Sequence, residues 1–471
     1  MKIAISGWTR DRNTEANVKR LLGNYLERVG GDYSDMRFER MERTRVEYRG
    51  RELLESGSSV TQGFVLRILE KGGFASACFN DGSELDAAIR KAKECAQSMG
   101  SGGEMNTRLL VPPPVEDEIE PTIKGDPRAV SLEEKMALLS SYNRLVMASR
   151  DMITTLAVYE EVTRERHFIN SAGTYVAEPL VTASISIRMI AAGNGVLQNG
   201  RAVVGGSDGF ERLLGREDVF LRKAEIVSRL LQARPVEAGT YNVVLNPEMT
   251  GVFIHEAFGH FSEADLIEHN PSLREKMNMD RRLGCELLTV CDDPTMPAQI
   301  GHYSYDDEGV AGRRVVLMQK GILRGRLHSM RTARSYGESL NGHAIAEDFR
   351  YPPIVRMGCI YVTPGDNEPS ELLDGAGDGL YVLDAKGGQT SGENFTFGAQ
   401  YGYLIRNGKS GAMVRDINLM GNLFETLFAV KGVGRDTAIS EMGGCGKGQM
   451  NIRSAMGGPH ILIKAVRVGG C

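Results

Sequence analysis

Several absences narrow the field before any motif is read. No apolar run approaches the roughly 20 residues needed to span a bilayer, so no membrane segment is expected. The opening stretch MKIAISGWTRDRNTEANVKR turns polar after six residues and lacks the apolar centre of a signal peptide. The seven cysteines (Cys78, Cys95, Cys285, Cys291, Cys359, Cys445 and Cys471) are odd in number, scattered, and contain no Cys-x-x-Cys pair. That pattern argues against a disulfide framework and for the reduced thiols of a cytoplasmic protein. Short-period repeats and low-complexity tracts are also missing. No Gly-x-Ser-x-Gly elbow lies near a suitable histidine. GYLIRNGKS ends like a phosphate-binding loop, but five residues separate Gly402 from Gly408 where four are required. A positive surplus is lacking too: the formal net charge of −5 argues against sequence-independent nucleic-acid binding, which needs a basic surface.

The composition is otherwise that of a globular protein, 41% apolar and 25% charged, and 471 residues allow two or three domains. Residues 15–29 read as an amphipathic helix ending at Gly30-Gly31. β-Branched and alternating segments follow at 33–48, 58–69 and 74–79, with Glu70 to Gly73 as a hairpin turn. A helix opens at Ser83 and closes at Gly100. Residues 101–129 form a Gly- and Pro-rich connection, and Ser131 with Glu134 makes a capping box for a helix to about 149. Strands dominate from 152 to about 205, and a long charged helix is expected over 208–233. Ala233 to Thr240 reads as a linker. Beyond it, RRVVLMQKGILRGRLHSM and YGYLIRNGKSGAMV each alternate around a Gly turn, as hairpins do. The expected architecture is α+β, with a mixed domain of helices and antiparallel sheet at 1–235 and a β-rich domain at 236–471. YSYDDEG (Tyr303 to Gly309) is a carboxylate cluster without EF-hand spacing and reads as a solvated loop.

Chemistry concentrates in NPEMTGVFIHEAFGHFSEAD, Asn246 to Asp265. Asn246 suits the N-cap, Pro247 the first helical position, and Glu248 the positive helix end. A helix over 247–260 would carry His255, Glu256 and His260. Zinc peptidases with His-Glu-x-x-His use two histidines four apart. Here they are five apart, which an ideal helix displaces by about 140° and about 7.5 Å. Two such imidazoles cannot share one tetrahedral ion at about 2.0–2.1 Å. The extra residue can be absorbed by a π-bulge, or by ending the helix at Gly259 in a left-handed conformation. A third ligand is still needed. The best candidate is Cys445 in EMGGCGKGQMNIR, where flanking glycines allow close approach and Lys447 or backbone N–H groups would favour the thiolate. The spacing alone also fits a helix face with an ordinary buried histidine, and Cys445 alone fits a loop thiol.

In combination, HEAFGHFSEAD, DDEGVAGRRVVLMQKGILRGRLHS, GGQTSGENFTFGAQYGYLIRNGK and GGCGKGQ…GGPHILI, in this order, resemble the TldD/PmbA metallopeptidase family, in its metal-binding TldD-type branch. GGFASACFND resembles the family's N-terminal hairpin, and the resemblance covers roughly residues 30–471. It implies His255, His260 and Cys445 as ligands of Zn²⁺ and Glu256 as general base in peptide hydrolysis. It further implies unfolded or small peptide substrates bound as an extended strand, and a dimer of the chain with itself or with a TldE/PmbA-type partner. Glu263 has two readings, a partner that orients a ligand and a surface carboxylate. The chain departs from the family at CGKGQ, one residue shorter than the usual Cys-Gly-Lys-x-Gly-Gln. The segment EHNPSLREKMNMDRRLG is a lid or a dimer contact, and residues 1–12, with Trp8, match nothing in the family. A non-catalytic peptide- or partner-binding subunit is the alternative, against which Glu256 speaks. An older family label, modulation of DNA gyrase, gains nothing from the acidic net charge.

Overall fold

The computed structural model describes residues 12–101, 106–193 and 195–469. Trp8 and Cys471 lie outside them. The fold is α+β, as expected. Its first sheet is a mostly antiparallel array of seven strands. The order runs Gly73–Phe79, Glu52–Glu70, Tyr33–Arg49, Met152–Asn170, Tyr175–Gly193. Val196–Gly206 and the short Glu116–Glu118 pair with the last of these at different points along it. The hairpin turn sits at Lys71 and Gly72, both at positive φ, as the EKGG stretch requires.

Strand periodicity divides this sheet into two chemically different faces. Met36, Phe38, Leu66 and Ile68 pack under the helices Arg12–Leu26 and Leu85–Ser101. Arg37, Glu39 and Arg67 alternate with them and are also buried, on the other side. The capping box at Ser131 and Glu134 starts the helix Leu132–Met147 as read from sequence. Two helical expectations shift. The helix after Glu70–Gly73 is capped by Asp81 through a short 3-10 turn, with Ser83 inside that turn. The helix expected over 208–233 breaks into Phe210–Leu213 and Glu217–Leu230, with Gly215 at φ 65 between them.

The β-rich half holds a seven-stranded sheet ordered Val430–Val433, Ile461–Gly469, Gly239–Leu245, Gly379–Ser391, Asn394–Arg406, Lys409–Asn422, Arg234–Pro235. Ile461–Gly469 also pairs with Lys409–Asn422, so five of these strands close into a ring. Both hairpins read from sequence are present, turning at Lys320-Gly321 and Asn407-Gly408 with positive φ at all four residues. A second, six-stranded sheet includes Val290–Asp292, Cys359–Val362 and Ala455–Gly458. The helix Pro247–Ile254 lies buried between the two sheets, with Phe253 and Phe258 in the same apolar core as Phe395, Phe397 and Ile461.

YSYDDEG is not solvated. Asp306, Asp307 and Glu308 are all buried, because the charged face of the first sheet docks on them. Asp307 meets Arg166 at 2.9 Å, Arg37 at 3.6 Å and Arg164 at 3.7 Å, while Glu308 accepts from Arg67 at 2.7 Å. A buried carboxylate survives only when paired, and here the partners lie on distant strands.

Candidate metal centre

The helix that carries the histidines begins as its sequence dictates. The Asn246 side chain accepts from the Met249 N–H, and Pro247 fills the first turn. Regular helix ends at Ile254. His255–Gly259 forms a π turn, in which His260 N–H donates to His255 O, and His260–Ser262 continues as a 3-10 turn. The extra residue of HEAFGH is therefore absorbed by a π-bulge, one of the two devices read from the sequence. Gly259 contributes differently from the expectation: its backbone is ordinary right-handed helix. A side chain there would meet Met357 Sδ and Ile360 Cδ1, so the glycine serves close packing.

The bulge turns both imidazoles to one side. Their ring centroids lie 5.0 Å apart with planes at 85°. Cys445 Sγ stands 3.0 Å from His255 Nε2 and 3.4 Å from His260 Nε2. One ligand atom from each residue fits within 4.8 Å of the others, the one such group of three or more among the described residues. Ligands at 2.0–2.3 Å around a shared tetrahedral centre sit about 3.4–3.6 Å from one another. The Cys445–His260 separation meets that range and the Cys445–His255 separation lies about 0.4 Å inside it, so the three side chains converge closely enough to hold one metal ion.

The electrostatics suit a cation. Burial pushes the Cys445 thiol up, but His255, His260 and Arg356 outweigh it and bring it down to about 5. Burial pushes His260 down; its contacts with Cys445 and Glu263 win and raise it to about 10. The donor set thus pairs a Cys445 thiolate with a protonated His260, which would give up its proton to bind a metal.

Glu263 is an orienting partner and not a surface group. It is fully buried, with Oε2 3.2 Å from His260 Nδ1 and 3.0 Å from Lys447 Nζ. Burial would raise its carboxyl, yet Lys447, His260 and Arg356 hold it down at about 2. Lys447 reaches Glu263, Asp265 (2.6 Å) and the carbonyl of Val355 (2.8 Å). The groups that lower the thiol are His255, His260 and Arg356, a correction to the direct role expected of Lys447. Arg356, invisible to the sequence reading, is wholly buried with Nε 3.8 Å from Glu263 Oε1, and its three guanidinium nitrogens make no hydrogen bond among the described residues.

Glu256 lines the same cavity of about 780 Å³ as the three ligand candidates. Apolar Val252, Leu266, Leu273 and Met450 form much of its remaining wall. Leu273 belongs to the helix Pro271–Lys276 in the segment read as a lid or dimer contact, so that segment walls the cavity. Lys276 ties it to Glu393 at the tip of the hairpin opposite. The Cys445 loop is closed by paired backbone bonds between Cys445 and Ile452.

The PmbA/TldA metallopeptidase models match along the chain: domain 1 at residues 34–96, the central domain at 125–234 and the C-terminal domain at 238–470. A metalloprotease of Synechocystis is 35% identical over 97% of this chain and 98% of its own length. The chain belongs to the TldD/PmbA metallopeptidase family. A metalloprotease of Methanocaldococcus jannaschii is 34% identical over 91% of this chain and 95% of that protein. A zinc metalloprotease TldD homolog of Saccharolobus solfataricus is 30% identical over 94% and 98%. Among solved structures, a Thermotoga maritima protein named as a candidate modulator of a DNA gyrase superposes with a TM-score of 0.79 at 18% identity, covering 97% of this chain and 100% of that one. TldE from Thermococcus kodakarensis gives 0.74 at 16% identity, over 97% and 100%. At these identities the structural likeness establishes the shared fold.

Proposed function

We propose that this family member is a zinc-dependent peptidase acting on unfolded or small peptides, with His255, His260 and Cys445 as ligands and Glu256 as general base. The observation that carries the reading is the convergence of two imidazoles and one thiolate beside a carboxylate in a single cavity. Zinc held there would supply Lewis acidity to an attacking water and to the scissile carbonyl. Glu256 takes the proton from that water and delivers it to the leaving amine. Glu263 fixes the His260 ring through Nδ1, leaving Nε2 for the ligand role.

An extended peptide has a place to lie. Residues 387–391 of the strand Gly379–Ser391 pair on one side with the neighbouring hairpin strand, while Gly239–Leu245 pairs only as far as Val382. Main-chain pairing along that free stretch, beside Glu256, would bind peptides with little regard to side chains. We place the protein in the cytoplasm, in keeping with free thiols at all six described cysteines. No helix of the described residues is long and apolar enough to cross a membrane. As the assembly we propose a dimer, of this chain with itself or with a TldE-type partner.

The test is metal analysis with digestion of an unstructured peptide by wild type and Glu256→Gln. The variant should keep its zinc and lose about 10²–10⁴-fold in rate. A variant that still cleaves at the wild-type rate removes Glu256 from the mechanism, and a wild type with zinc but no cleavage favours a binding subunit.

A further inference from the structure

A general base on a flexible side chain needs something to aim it. Glu256 leaves the π turn with three free torsions, and holding such a chain in one geometry costs conformational entropy. Two features of the strand Gly379–Ser391 address this. Thr390 Oγ1 lies 2.8 Å from the backbone oxygen of Glu256 and 3.1 Å from its carboxylate Oε2. Two residues earlier, on the same face of the strand, Gly388 lets the Glu256 side chain pass: a Cβ there would come 3.0 Å from Glu256 Cγ and 3.0 Å from Phe397 Cβ.

Resting on the peptidase reading above, we propose that Thr390 is the positioning residue of the general base. The π turn makes the arrangement available. In a regular helix the His260 N–H would donate to Glu256 O; here it donates to His255 O, which leaves the Glu256 carbonyl facing a hydroxyl. The single hydroxyl proton then has two acceptors. With Glu256 ionised, Thr390 donates to Oε2 and holds the carboxylate toward the cavity. Once Glu256 has taken a proton from the attacking water, its own O–H donates to Thr390 Oγ1, and the hydroxyl proton turns to the Glu256 carbonyl. When that proton passes to the nitrogen of the leaving amine, the hydroxyl turns back. Each change is a rotation about one C–O bond, and the proton count of the pair returns to its starting value. The extra residue of HEAFGH thus gives the base a partner for both of its states.

The experiment uses the full chain and an internally quenched unstructured decapeptide, with variants Thr390→Val, Thr390→Ser, Glu256→Gln and the double variant Glu256→Gln/Thr390→Val. Thr390→Val should retain zinc, bind the peptide as wild type does when stripped of metal, and keep KM within about twofold while kcat falls about 10-fold or more. Thr390→Ser, which keeps the hydroxyl, should recover most of that loss. In the Glu256→Gln background, Thr390→Val should change the residual rate by less than about twofold, because the two residues act as one unit. Wild-type kcat in Thr390→Val overturns the proposal, as does a full additional loss in the double variant. If Thr390→Val does not fold, the ratio of Thr390→Ser to Thr390→Ala decides, and equal kcat in those two overturns it. Full activity in Glu256→Gln would instead overturn the peptidase mechanism itself, whatever Thr390 does.

Discussion

Cys445 Sγ and His255 Nε2 approach to 3.0 Å across a sequence separation of 190 residues. Neither partner is free to drift. His255 is held by a π turn between two packed sheets, and Cys445 by the backbone pair with Ile452. Arg453, one residue further, donates to Ser207 Oγ at 2.6 Å and so pins this loop to the first sheet as well. A site assembled from such distant segments depends on the whole fold for its geometry.

Ligands and their outer partners should therefore separate in a metal-binding series. Cys445→Ala removes one of three protein donors and should leave only trace zinc after gel filtration. Glu263→Gln keeps all three donors but removes the charge that orients His260, and its affinity should fall about 10–100-fold. Competition against a chelator of known affinity measures both. Undiminished zinc in Cys445→Ala would take the cysteine out of the site.

Acid sensitivity should trace to the contact between the first sheet and the β-rich half. Burial pushes the Asp307 carboxyl up, but Arg37, Arg164 and Arg166 outweigh it and leave it well below the usual carboxylate range. A depressed folded value means stability that is present above the unfolded value of about 3.9 and lost as pH falls through the folded one. Asp307→Asn removes the charge that Arg37, Arg164 and Arg166 share in a buried interface, leaving Arg164 to Glu39 and Arg166 to Glu178, a loss of about 3–5 kcal/mol at neutral pH. Thermal midpoints of variant and wild type should differ most near pH 7 and converge as pH drops below about 4. A gap that stays constant across that range would show that Asp307 does not carry the acid response.

What the sequence revealed and what it hid follow one physical division. Local chemistry was readable: the Asn246 cap, the capping box at Ser131, and the Lys-Gly and Asn-Gly turns each act within a few residues. The excess residue in HEAFGH was readable as a helix that must bulge or end. Charge burial was not, because it is a property of pairs. Asp307 and Arg166 are 141 residues apart, Glu308 and Arg67 241, and nothing in YSYDDEG itself announces those partners. Proximity in sequence puts Lys447 beside Cys445, whereas its side chain turns to Glu263 and Asp265. Arg356 sits in YPPIVRMG with no local mark of its role. Thr390 lay within a stretch that carried the family resemblance, yet only the fold brings it to Glu256.

The glycines of the site helix give the sharpest structural prediction, because two of them resist a methyl group for unequal reasons. At Gly259 an added Cβ would come 2.3 Å from Met357 Sδ, part of a flexible side chain that can move, and 2.9 Å from Ile360 Cδ1. At Gly251 it would come 2.7 Å from the backbone nitrogen of Gly457 and 2.8 Å from its Cα, on the strand Ala455–Gly458 that the helix packs against. A backbone cannot step aside without shifting the strand. Gly259→Ala should cost about 1–3 kcal/mol, the range for overpacking a core. Gly251→Ala should cost more, and should also lower zinc occupancy, because pushing the helix off that strand moves His255 relative to Cys445. Thermal midpoints with zinc content, measured on both variants, check the order. Equal destabilisation with full zinc in both would show that the helix has slack against the strand, and that the metal geometry does not depend on this close approach.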